Sequence, residues 1–511
     1  MSPARNARAS QVPNYERHRP EQTLLYQLVQ QHYPVFKSSL NDQGQSLPRY
    51  VQREFEDFLQ CGRLDNGFLR VRCEDCHHER LVAFSCKRRG FCPSCGARRM
   101  AESAALLVDE VFPKVPIRQW VLSFPFQLRF LLARQPELMG KVLSIVYRTL
   151  SSHLIKKAGF TKATAQGGSV TLIQRFGSAL NLNVHFHMLF LDGVYVEDDY
   201  GKQRFHRVKA PTHQELNALV NTLSHRVARC LEQRGLLERD AENTWLTLEG
   251  GEDADDVLTQ LHGSSVTYRI ATGPQQGRKV FTLQTLPGRE DKADTHSRVA
   301  KHAGFSLHAG VMAEAHQRDK LERLCRYISR PAVSEKRLAL TTNGQVRYEL
   351  KTAYRNGTTH VIFEPLDFIA KLAALVPKPR VNLTRFHGVF APNSKHRVDV
   401  TPAKRGKRPD KSEGLDTDWH DKSPAEHHRA MTWMQRLKRV FNIDIEVCEH
   451  CGGQVKVIAS IEDPKVIEQI LKHLKQKAAK VNAAKQRELP PERAPPMTLS
   501  LFDTSQSRLF D

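Results

Sequence analysis

No stretch of the chain approaches the ~18 consecutive apolar residues that a membrane-spanning helix requires. The opening Met1-Ser2-Pro3-Ala4-Arg5 also begins no apolar run of the kind that exports a protein. A membrane partner is therefore not expected, and the sequence points to a cytoplasmic protein. Acidic residues are scarce beside basic ones: 55 Asp and Glu stand against 77 Lys and Arg, a formal charge of +22. That deficit favours a polyanionic partner, because each phosphate neutralised by Lys or Arg releases a counterion. No internal repeat is visible. Cysteine is thin along most of the chain, yet six of the ten crowd between Cys61 and Cys95. In a reducing compartment such crowding indicates metal rather than disulfides.

At 511 residues the chain has room for about three folded units with ample core. Residues 1–20 are polar and read as a flexible N-terminus, and 21–112 as a zinc-binding domain. Within it, apolar spacing predicts helices over Glu21–Tyr33, Pro48–Leu59 and Ala97–Phe112, with two short strands between Gly67 and Cys86. Residues 115–400 mix the two periodicities. Strands are expected at Trp120–Phe124, Ser169–Phe176, Asn183–Leu191 and His360–Phe363, with an Asn343-Gly344 hairpin joining Leu338–Thr342 to Gln345–Leu350. Helices are expected at Gln214–Gln233, His316–Ser329 and Leu366–Val376. The class is α+β, with helices on an antiparallel sheet. Residues 401–425 read as a basic linker, 426–477 as a small C-terminal unit with a Cys-x-x-Cys pair, and 478–511 as a disordered tail.

Cys73-x2-Cys76 and Cys92-x2-Cys95 have the spacing of two knuckles that share one tetrahedral zinc. Four thiolates leave the ion no open position, so it would hold structure rather than react. Cys61, His77, His78 and Cys86 stand nearby as spare ligands, and the partners of Cys448-x2-Cys451 are open. Lys87, Arg88, Arg89, Arg98 and Arg99 surround the second pair with no acidic neighbour, a candidate DNA-contacting face.

Asn181-Leu-Asn-Val-His185-Phe186-His187 is apolar enough for a buried strand, yet it carries two imidazoles two residues apart. On a strand these share a face about 6.6 Å apart along the chain, so both can reach one ion. Two neutral histidines leave most of the sphere open, which suits a catalytic Mg2+ or Mn2+. Gln174 and Asp192 are both candidates for a third ligand. Of the tyrosines, Tyr327 has the most suggestive setting, on a helix ended by Pro331 and among Arg323, Arg326 and Arg330. Guanidiniums there could grip a phosphate that the phenol attacks. Tyr354, beside Lys351 and Arg355, is the alternative.

These residues carry a resemblance. Phe91-Cys-Pro-Ser-Cys-Gly-Ala-Arg-Arg99, the run from Gln174 to His187, Arg326-Tyr-Ile-Ser-Arg-Pro331 and His387-Gly-Val-Phe-Ala-Pro-Asn393 together resemble the rolling-circle transposases of the IS91 type, including those of common-region (ISCR) elements. The resemblance covers about residues 21–470. It implies a ribbon-like zinc domain followed by an HUH-type antiparallel sheet, in which His185 and His187 hold the divalent ion. Tyr327 would form a 5′-phosphotyrosine with single-stranded DNA at element ends and target, and host replication proteins would complete the strands. Arg323 occupies the position four before Tyr327 where two-tyrosine members carry a second tyrosine, which implies a single-tyrosine cycle. Two other readings fit the composition: a carboxylate-dependent two-metal transposase or nuclease, and a non-catalytic zinc-containing DNA-binding protein.

Overall fold

A strand that is apolar on both faces belongs in the middle of a sheet, and the run containing the two histidines lies there. In this computed structural model, which describes residues 19–239, 244–246, 256–287, 299–404 and 446–487, six strands form the central sheet. Along the chain they are β1 (Ile117–Ser123), β2 (Gly168–Phe176), β3 (Leu182–Leu191), β4 (Val299–His302), β5 (Phe305–Ala313) and β6 (Thr384–Gly388). Their spatial order is β4-β5-β1-β3-β2-β6, with every neighbouring pair antiparallel. β3 is thus flanked on both sides and buried along nearly its whole length.

The two faces of the sheet feed two cores. Trp120, Leu122, Ile173, Val184, Phe186, Met188 and Phe190 pack under helices Phe126–Arg134, Pro136–Lys157, His213–Glu232, Val257–Val266 and Pro365–Leu375. Ile117, Val170, Leu172, Leu189 and Leu191 face the other way. They are covered by helix Arg318–Ile328 and by the end of the run that begins as helix Pro93–Leu106 and widens to a π-turn over Leu107–Val111. Period-two alternation along β3 sends His185 and His187 to this second face, with Leu189.

The mixed class with antiparallel sheets is the one the sequence indicates, and several boundaries shift. The first helix runs Leu24–Asp42, straight through Pro34. Phe36 and Leu40 extend its buried stripe, and burying them outweighs the ~3 kcal/mol that an interior proline costs. Helices Phe126–Arg134 and Pro136–Lys157 occupy a stretch to which the sequence analysis assigned nothing. The expected hairpin forms between Leu338–Leu340 and Val346–Glu349, with Gly344 at φ 76° in the turn.

The C-terminal unit expected over 426–477 does not stand alone. Its strand Val455–Ile461 pairs antiparallel with Phe68–Cys73, which pairs in turn with Glu79–Ala83, so the far end of the chain completes the sheet of the N-terminal domain. The following helix, Pro464–Arg487, continues past residue 477, where a disordered tail was expected; its Lys, Ala and Gln are strong helix formers. The expected flexible N-terminus, most of the basic linker and the rest of the tail lie outside the described residues. No helix among the described residues is long and apolar enough to cross a membrane.

One charge pair pins the back of the sheet. Arg118 on β1 donates to Asp192, just beyond β3, in a bidentate pair of 2.7 and 2.8 Å, with both side chains buried. Each charge is tolerable there only because of the other. Arg118→Met should therefore destabilise the protein by about 3–5 kcal/mol, because it leaves a buried carboxylate unpaired. Urea denaturation measures this, and a change below about 1 kcal/mol would show that water reaches the carboxylate.

Candidate metal and nucleophile site

Three central strands bring their polar side chains to one patch. In register, His185 lies between Ser123 on β1 and Gln174 on β2, and His187 between Val121 and Leu172. The two imidazoles are 4.9 Å apart, centre to centre. Each has its Nδ1 occupied. The ring of His185 is 2.8 Å from the backbone oxygen of Asn183, which can only accept, so Nδ1 donates and Nε2 keeps a free lone pair. The amide nitrogen of Gln119, buried on β1, lies 2.8 Å from Nδ1 of His187 and donates to it; ion binding at Nε2 of His187 requires this amide to turn by 180°, so that its oxygen accepts from Nδ1–H. Burial holds both rings neutral: it lowers His185 to about 4 and His187 to about 3, helped in each case by the positive charge of Arg330. With the Gln119 amide so turned, the two rings present two unprotonated nitrogens, a donor set that fits a divalent ion, and the Asn183 carbonyl and the buried Gln119 amide fix their orientations.

Gln174 is the cross-strand neighbour of His185 and is buried. Its Nε2 donates to the backbone oxygen of Ile328 at 3.3 Å, which leaves the amide oxygen as a donor to an ion. Asp192, the other candidate, is ruled out by its pairing with Arg118. That pairing places it with the side chains of the opposite face.

Helix Arg318–Ile328 lays Leu321, Cys325 and Ile328 on the sheet, a stripe that leaves Tyr327 at its edge and 40% exposed. The Tyr327 ring stands edge-on to His187, with centroids 6.3 Å apart. Two cations flank the phenol: the guanidinium of Arg330 lies 4.3 Å from the ring centre and the Lys351 ammonium 4.0 Å from it. Arg323 and Arg326 lie on the outer side of this helix, exposed and half-buried. Tyr354 packs against the other core, with its hydroxyl 3.4 Å from that of Ser178.

A cleft of about 350 Å3 opens beside this patch, lined by Gln174, Arg330, Arg88, Arg89 and Arg99 among others. Arg88 is tied to Asp57, Arg89 donates to the Val381 oxygen, and Arg99 donates to the Lys87 oxygen. Of the remaining residues expected at a DNA-contacting face, Lys87 is exposed and Arg98 pairs with Glu102. The cleft exists because the N-terminal domain docks tightly here: a Cβ on Gly96 would lie 2.6 Å from that of Pro331, four residues beyond Tyr327.

The cysteines are arranged differently from the expectation. All ten are unbridged. Cys92 and Cys95, at the start of helix Pro93–Leu106, meet Cys61 and Cys86, with Sγ–Sγ separations of 3.5–3.7 Å. Cys73 and Cys76 turn away at the end of their strand and meet Cys448 and Cys451 instead. The shared site of Cys73, Cys76, Cys92 and Cys95 is thus not formed, because the strand between Phe68 and Cys73 carries the first knuckle to the opposite end of the N-terminal domain. Zn–S bonds of about 2.3 Å in a tetrahedron require sulfurs about 3.8 Å apart, and the first cluster matches this.

Gln119 and Lys351 join the site without having been singled out for it. Gln119 could have been noticed as the polar side chain in the middle of an apolar strand. Lys351 could not, since it is 24 residues from Tyr327 in sequence and comes from a separate hairpin. The motif from His387 to Asn393 lines no part of the patch: it closes the sheet at β6, where His387 stacks on Tyr147 at 4.7 Å and Gly388 at φ 61° abuts the Gly167 carbonyl.

Comparison with known families accounts for both halves. Residues 28–124, which hold the first cysteine cluster, match the transposase zinc-binding domain of the IS91 type. Residues 168–397, from β2 past the tyrosine helix, match the Y2_Tnp transposase family. No curated protein and no solved structure matches the chain. Structural zinc follows from the domain match together with the sulfur geometry. With a zinc-binding module at one end and a transposase core behind it, the chain belongs to the IS91-type transposases, enzymes that cut and join DNA.

Proposed function

We propose that this transposase nicks and rejoins single-stranded DNA through a covalent 5′-phosphotyrosine at Tyr327, and so mobilises a DNA element by a rolling-circle route of the HUH single-tyrosine type. The observation that carries the reading is the edge-on approach of the Tyr327 ring to His187 at 6.3 Å. A phosphate bridging that gap would touch the phenol on one side and the imidazole pair on the other.

In this reading His185 and His187 offer Nε2, and Gln174 its amide oxygen, to a Mg2+ or Mn2+. When bound there, such an ion would supply electrophilic stabilisation to the scissile phosphate. The Tyr327 oxygen attacks phosphorus, the 3′ oxygen of the preceding nucleotide leaves and takes up a proton, and the 5′ phosphate stays on the tyrosine. The new ester conserves the energy of the broken one, so a 3′ hydroxyl can later reverse the step without ATP. Arg330 and Lys351 hold the phosphate against the phenol, while Arg88, Arg89 and Arg99 line the path of the strand. Arg323, exposed on the same helix four residues earlier, offers no second nucleophile. Strand transfer then proceeds by reuse of Tyr327, and host replication proteins fill the gap. A carboxylate-dependent mechanism finds little support, since Asp192, the carboxylate nearest the imidazoles in sequence, is committed to Arg118.

Three outcomes are expected. With labelled single-stranded DNA from an element end and Mn2+, the wild-type protein forms a denaturation-resistant adduct and Tyr327→Phe forms none; an undiminished adduct removes the assignment. Gln119→Leu takes away the group that orients His187, and should weaken divalent-ion binding by roughly 10–100-fold while Tyr327 stays intact; calorimetric titration with Mn2+ reads this directly. The third concerns pH. The unfolded chain takes up protons on its histidines near pH 6.5, whereas the folded protein keeps His185 and His187 neutral down to about 4 and 3. Metal-free stability should accordingly fall as pH drops from 6.5 toward 4, by up to about 1.4 kcal/mol per pH unit for each ring. Metal affinity should stay level from pH 8 to about 5, and a tenfold loss between pH 7 and 5.5 would mean that the rings are solvated.

A further inference from the structure

The C-terminal strand Val455–Ile461 poses a physical problem. It is an edge strand with both faces largely open: Val457 is 53% and Ile458 45% exposed. The helix after it buries Ile467 but leaves Val466 and Leu474 out. So little apolar burial cannot by itself hold a segment whose partner strand lies almost four hundred residues earlier, because closing such a loop carries a large entropic cost.

Just before this strand, two Cys-x-x-Cys turns face each other. Sγ of Cys73 lies 3.5 Å from that of Cys451, and Sγ of Cys76 lies 3.5 Å from that of Cys448. All four sulfurs fall within 4.8 Å of one another. These separations exceed the ~2.05 Å of a disulfide and approach the spacing of four thiolates around one ion. The C-terminal turn has knuckle geometry. The backbone N–H of Gly453 points at Sγ of Cys451, the N–H of Gly452 returns to the Cys448 oxygen, and Gly452 takes φ 77°. The two turns are in direct contact, since a Cβ on Gly453 would meet the Asp75 side chain of the opposing turn. The two turns are also joined through the backbone, where Glu74 N donates to Gln454 O at 2.9 Å.

We propose that Cys73, Cys76, Cys448 and Cys451 bind a second structural zinc, and that this ion is the clasp that seats the C-terminal strand on the N-terminal sheet. Each thiol gives up its proton on binding, and the free energy of coordination supplies what apolar burial does not. Half of the site lies outside both matched family regions, which end at residues 124 and 397. The proposal is independent of the cleavage chemistry.

Elemental analysis of the full-length protein should find two zinc ions per chain, and one in the double variant Cys448→Ser/Cys451→Ser. The first cluster would remain whole, so that variant should keep its central sheet. Hydrogen exchange should then show protection lost over Val455–Ile461 and Phe68–Cys73 but retained over Leu182–Leu191. Cadmium NMR of the substituted wild-type protein gives a reading that needs no variant: two tetrathiolate resonances are expected. A single resonance, or unchanged zinc content in the double variant, overturns the site. Loss of one zinc with protection over Val455–Ile461 unchanged overturns the clasp.

Discussion

The chemistry proposed for this transposase depends on how one amphipathic helix lies across three strands. Helix Arg318–Ile328 contributes Leu321, Cys325 and Ile328 to the core beneath it, and the same rotation leaves Tyr327 at the rim beside His187. A turn of the helix by one residue, about 100°, would bury the phenol or swing it into solvent. The hydrogen bond from Gln174 to the Ile328 oxygen restrains that rotation from the sheet side, one residue from the tyrosine. A single amide thus touches both the would-be ligand set and the element that carries the proposed nucleophile.

The imidazole pair is shaped by burial in the same way. Neutral rings next to Arg330 are costly to protonate, and the Asn183 carbonyl together with the Gln119 amide decides which nitrogen faces outward. The basic charge of the chain, +22 overall, becomes local here: Arg330 and Lys351 flank the phenol while Arg88, Arg89 and Arg99 line the cleft beside it. Several of these cations already donate to backbone or carboxylate oxygens, so their head groups are held in position before any phosphate arrives.

How much of this could be read from the sequence varied with the range of the contact. The strand of His185 and His187 was legible because polar rings interrupt an otherwise apolar period-two run, and the tyrosine helix because its stripe and terminal proline are local signals. The sulfur partners were not. Spacing alone joins Cys73 and Cys76 to Cys92 and Cys95, whereas the fold sends the two pairs to different clusters, one completed from 372 residues away. A Cys-x-x-Cys motif specifies a half-site, and which halves meet is a property of the sheet between them. Helix Pro136–Lys157 is a different kind of miss. Leu138, Val142, Val146, Leu150 and Leu154 recur at helical spacing, so the signal was present in the sequence.

The abutment of Gly96 on Pro331 gives the N-terminal module a mechanical role. Gly96 directly follows Cys95, so the tetrathiolate cluster braces the loop that leaves the tyrosine helix, much as a doorstop limits the travel of a door. Slackening that knuckle would let the loop retreat from the sheet, and the distance most affected would be the one between phenol and imidazole, although no sulfur touches either.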